Sequence, residues 1–156
     1  MGAVDGAVRA AVELLAFDDR PETRDVLKRC VLESEFRAVS NTAGASLRTL
    51  EGPDSLEPDY LFLRSRWGSP ERNTVRRLTQ AGDSARILDA LADPNCPEEA
   101  TDALLLALAT RDPLPVDAAV NLLADRRPRA RGLGSRVLGR ASKLKKTATK
   151  TLSEAL

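Results

Sequence analysis

Apolar residues recur at spacings of three and four along most of this chain, and prolines cut the pattern into short lengths. That spacing lines one face of a helix, whereas strict alternation, the mark of a half-buried strand, is scarce. The clearest stretch is 83–125. Asp83 is a good helix N-cap, because its carboxylate can accept from the unpaired N–H groups of a first turn, and Ala85, Ile87, Leu88 and Leu91 follow at helical spacing. Pro94 ends that segment by driving Asp93 out of the helical region. Pro97 then stands at a first helical position, where its missing N–H costs nothing. Glu98 and Glu99 follow where the helix dipole favours anions. Ala100, Ala103, Leu104, Ala107 and Leu108 form the second apolar face. Leu105 and Leu106 widen it, so this helix is expected to be buried on most sides. Asp112-Pro113 stops it. Pro115 opens a third helix with Ala119, Leu122 and Leu123, and Asp125 and Pro128 close that one and open a fourth.

The rest of the chain repeats the style. Residues 4–17 predict a helix with Val8, Ala11, Val12 and Leu15 on one face, and 18–21 a turn. Pro21 and Glu22 open a second helix, whose apolar side is Val26, Leu27, Cys30, Val31 and Leu32. A third runs from about 33 to 50 on Phe36, Val39, Ala43 and Leu47. Segment 51–67 breaks the pattern: Pro53, Pro58 and turn residues precede the cluster Tyr60-Leu61-Phe62-Leu63. It reads as an irregular insertion with a short helix near 59–67, anchored by Tyr60 and Trp67. Pro70-Glu71 opens another helix, with Val75 and Leu78 facing inward. From Pro128, the positions Ala130, Leu133, Val137, Leu138, Ala141, Leu144, Ala148, Leu152 and Leu156 predict one long amphipathic helix. Gly132, Gly134 and Gly139 each weaken it by about 1 kcal/mol relative to alanine, so it needs tertiary support.

Helix starts fall near 83, 97, 115 and 128, and alternate starts lie 32 and 31 residues apart. The regularity predicts a two-helix unit that recurs, the alternative being an ordinary small bundle. One helix pair cannot bury its apolar face alone, whereas a stack of pairs can. Several segments also look alike. Val8-Arg9-Ala10-Ala11 runs on to Leu14-Leu15, Phe36-Arg37-Ala38 runs on to Leu47, Val75-Arg76-Arg77-Leu78 is a shorter echo, and Arg129-Ala130-Arg131-Gly132 continues to Val137-Leu138. An apolar residue and an arginine ahead of alanines and a leucine resembles the second helix of HEAT-like repeats. The stretch 91–109, LADPNCPEEATDALLLALA, is similar to the leucine-rich-repeat variant pattern of short helices and proline turns. The resemblance implies an all-α fold, a short right-handed α-solenoid of stacked helix pairs used as a binding surface, and carries over no catalytic residue. The segment 51–67 and the glycines at 132 and 134 depart from the pattern.

The chain of 156 residues is long enough for one domain with a sizeable core, expected over 1–156, with 126–156 as its terminal helical segment. Aromatics are only 3%, so that core must be leucine, alanine and valine. The net charge of +1 hides a division: residues 1–125 carry 14 basic and 22 acidic side chains, and 126–156 carry ten basic and one acidic. The ten are Arg126, Arg127, Arg129, Arg131, Arg136, Arg140, Lys143, Lys145, Lys146 and Lys150, and they are the candidate binding residues. On a helix, Arg136, Arg140, Lys143 and Lys150 share one side. DNA or RNA phosphates would release counterions here and bind with a steep salt dependence. An acidic protein partner, neutralisation of the acidic 1–125 portion, and an anionic membrane surface are the competing readings. The absence of interleaved aromatics argues against stacking on single strands.

There is no histidine, which removes the commonest general base and metal ligand. Cys30 and Cys96 are far apart and outside any CxxC, in keeping with a reduced, cytoplasmic setting. No phosphate-binding loop, dinucleotide fingerprint or nucleophile elbow occurs. Neither a secretion signal nor a run of membrane-spanning length is legible, and Gly2 lacks the Ser or Thr that myristoylation expects at position 6. The carboxylate pairs Asp18-Asp19, Glu33 with Glu35 and Glu98-Glu99 could hold a cation or act as acid and base, but adjacent acids at a helix start complement its dipole, and Glu98 and Glu99 are read that way. The expectation is a non-enzymatic helical-repeat adaptor or scaffold for protein–protein interaction, with no cofactor. Its terminal helix is also a plausible oligomer element. The alternatives are a nucleic-acid binder working through 126–150 and, more remotely, a repair enzyme akin to HEAT-like DNA glycosylases.

Overall fold

All regular structure in the computed structural model, which describes residues 2–65, 67 and 72–155, is helical. The order is α1 (Gly2–Leu14), a 3-10 turn (Leu15–Phe17), α2 (Pro21–Glu33), α3 (Arg37–Glu51), α4 (Glu57–Arg64), α5 (Arg72–Ala81), α6 (Ser84–Leu91), α7 (Glu98–Ala109), α8 (Val116–Leu123) and α9 (Pro128–Ala155). The punctuation works as its chemistry requires. The Asp83 carboxylate accepts the Arg86 N–H at 2.9 Å and caps α6. Pro21 and Pro128 are the first residues of α2 and α9. Pro97 and Pro115 stand one place earlier than expected, as the residues that precede α7 and α8. The third helix begins at Arg37 and not near 33. Ser34 closes α2, and its hydroxyl accepts the Phe36 N–H at 3.1 Å to form a turn. The expected helix start at Pro70-Glu71 lies outside the described residues.

Segment 51–67, expected as an insertion, is part of the packing. Pro53 sits in a turn and Pro58 in the first turn of α4, so neither proline interrupts a helix. Tyr60 and Leu63 of α4 are buried, and the helix touches α2, α3, α5 and α6. Alternate helices also lie against each other: α2 on α4, α4 on α6 and α6 on α8, and on the other side α1 on α3, α5 on α7 and α7 on α9. Two apolar cores result. One holds Val12, Leu27, Val31, Val39, Ala43 and Leu47. The larger joins α4 to α9 through Leu78, Ile87, Leu91, Leu104, Leu105, Leu108, Leu133 and Val137, among others. The expected faces hold with trimming: Val8, Ala11, Val26, Ala85, Ala103, Leu106 and Leu123 are exposed.

The three glycines of α9 differ in role. A Cβ on Gly134 would lie 2.5 Å from the Ala119 carbonyl oxygen of α8, whereas Gly132 and Gly139 face open space. Gly134 therefore lets two backbones approach; the other two only weaken the helix. Gly134→Ala is expected to destabilise the fold by about 1–3 kcal/mol through overpacking. Gly132→Ala should stabilise it by about 0.5–1 kcal/mol through helix propensity. Urea titration of both variants checks this; shifts of the same sign would show that the α8–α9 contact does not decide the matter.

Candidate functional site

The ten basic candidates all lie on or just before α9, and the structure divides them. At 1.5 Å per residue this helix of 28 residues is about 42 Å long. Its first half is built into the fold, with Ala130, Leu133, Gly134 and Val137 buried and Leu138 and Ala141 half-buried. From Ser142 onward every side chain described is exposed, Leu144 at 43% and Leu152 at 66% included. The helix thus continues past its last packing contact.

The arginines belong to the packed half and are engaged by the protein itself. Arg127 pairs with Asp125 at 3.0 Å and with Asp89 at 3.3 Å. The hydrogen bond from Arg127 is the main reason that the Asp125 carboxyl is held down to a pKa of about 2. Arg129 is half-buried: its Nε donates to the Leu91 carbonyl at 2.9 Å, and Nη2 to the Cys96 carbonyl at 3.1 Å and to Thr101 Oγ1 at 3.3 Å. Arg131 donates to the backbone carbonyls of Asp125 and Arg126 at 3.0 and 2.9 Å. Arg136 bridges Glu98, at 3.0 Å, and Asp102, and Arg140 reaches Asp102 at 3.5 Å. Arg126 is exposed. The reason for this clustering is in the charge of the neighbouring segment: residues 83–125 carry nine acids and two bases. The arginine half of α9 lies against them.

The lysines belong to the other half. Lys143, Lys145, Lys146 and Lys150 are exposed, and Lys150 lies 3.9 Å from Glu154 one turn on. Such a pair on an exposed helix contributes only a few tenths of a kcal/mol. The predicted single basic side through Arg136, Arg140, Lys143 and Lys150 is therefore divided, its arginines committed to acids of α7 and its lysines exposed beyond them.

The other candidates fall to structural duties. The Tyr60 hydroxyl accepts the Asp83 N–H at 2.7 Å, and the Arg86 guanidinium lies 4.1 Å over its ring. Arg86 also pairs with Glu57, whose carboxyl its hydrogen bond holds below the usual range. Trp67 donates to the Ser34 carbonyl at 3.0 Å. Asp18 pairs with Arg20, and Asp19 with Arg24. Burial pushes both thiols up, Cys96 beside Thr101 and Cys30 half-buried on α2. Sequence reasoning missed Asp59. It is fully buried on α4, 3.1 Å from Arg48 and 3.2 Å from Arg77. The one sequence signal was an acid standing next to the apolar cluster Tyr60-Leu61-Phe62-Leu63.

Among the described residues no group of three or more Cys, Asp or Glu is placed to hold a metal ion, and no helix is long and apolar enough to cross a membrane. The class defined by these observations is all-helical, with a terminal helix anchored over half its length. Comparison with protein-family models, with curated proteins and with solved structures gave no match.

Proposed function

We propose that this protein is a non-enzymatic adaptor: a short right-handed solenoid of stacked helix pairs that holds out the lysine-rich half of α9 to dock on a protein partner. One observation carries the reading. The apolar stripe that buries Ala130, Leu133 and Val137 continues at the same spacing through Ala141, Leu144, Ala148 and Leu152, yet Leu144 and Leu152 are exposed. A helix reading apolar on one side and basic on the other, without an occupant for the apolar side, is suited to laying that side on an apolar groove with an acidic rim. The contacts between alternate helices support the stacked-pair architecture. Most of the arginines are already satisfied by the protein, which leaves the lysine half as the exposed basic surface and weakens the case for a phosphate-binding strip along all of α9. Repair chemistry has less support still. Asp59, the buried acid, is held by two arginines, Tyr60 is buried in the packing, and Trp67, expected to anchor in the core, is exposed and donates to the Ser34 carbonyl.

The test compares two variants of the intact chain. Leu144→Asp/Leu152→Asp removes the stripe and keeps the lysines; Lys145→Glu/Lys146→Glu/Lys150→Glu does the reverse. Protein capture by the immobilised chain should fall at least about tenfold in the first variant, the loss of roughly 1.4 kcal/mol that one buried leucine readily supplies. A different result would sink the idea: binding to duplex DNA or structured RNA that weakens steeply with salt, ignores the leucines and disappears with the lysines. That pattern belongs to a polyanion binder.

A further inference from the structure

We draw no further inference here: the strongest candidate, the apolar outer side of α8, where Val116, Val120 and Leu123 are exposed at the end of the row α2, α4, α6 and α8, carries none because nothing in the structure shows what covers it.

Discussion

Asp59→Ala is expected to destabilise the fold by about 3–5 kcal/mol, the largest effect of any single change considered for this chain. The carboxylate is fully buried, and Arg48 from α3 and Arg77 from α5 converge on it at 3.1 and 3.2 Å. Removing it leaves two part-buried guanidiniums facing each other with no anion between them, and the repulsion adds to lost hydrogen bonds. Arg77 keeps its bonds to the carbonyls of Pro53 and Ser55, so the damage centres on the α3–α4 contact. Asp59→Asn keeps the shape and an acceptor and should lose less. Chemical denaturation of both variants decides the point. An alanine variant within about 1 kcal/mol of the parent would mean that solvent replaces the carboxylate, and that this cluster does not tie the two apolar cores together.

Arg129→Ala should cost about 2–4 kcal/mol, although exposed lysines further along the basic stretch should cost almost nothing. The side chain closes three acceptors at the turn after α6: the carbonyls of Leu91 and Cys96 and the hydroxyl of Thr101. Truncation orphans them where water has poor access. Lys145→Ala or Lys146→Ala, on exposed positions with no packing role, should stay within about 0.5 kcal/mol. A thermal-melt series along the basic residues reads this as a step between Arg140 and Lys145. Equal, small effects at all ten would contradict the division of α9 into a structural and a projecting half.

The helical pattern was legible because its signals are local. Proline positions, the Asp83 cap and the three-four spacing each act within one turn, and the helix starts they predicted near 83, 97, 115 and 128 came within one residue. What stayed hidden depends on partners distant in sequence. Asp59 acquires its meaning from residues 11 and 18 places away, and Gly134 from the carbonyl of Ala119 on another helix. The short helix expected near 59–67 is present as α4 at Glu57–Arg64, but which elements it packs on, α2, α3, α5 and α6, no local window could show. The basic stretch was visible as a charge run. Its division was not, because the acids that take up the arginines, Asp89, Glu98 and Asp102, lie on other helices. The exposure of Leu144 and Leu152 was likewise invisible, since a stripe reads the same along a helix whether or not something covers it.

Amide hydrogen exchange along α9 in dilute solution tests the central claim most directly. A helix whose described side chains are all exposed over its last 14 residues is marginal in water, whereas its first half is held by the core. The account predicts strong protection at 130–141 and a drop of at least about a hundredfold by 144–155, with protection regained there only when a partner is bound. Uniform protection to the end of α9 in the dilute, unbound chain would mean that the lysine half already packs on the protein, and that no docking surface is left open.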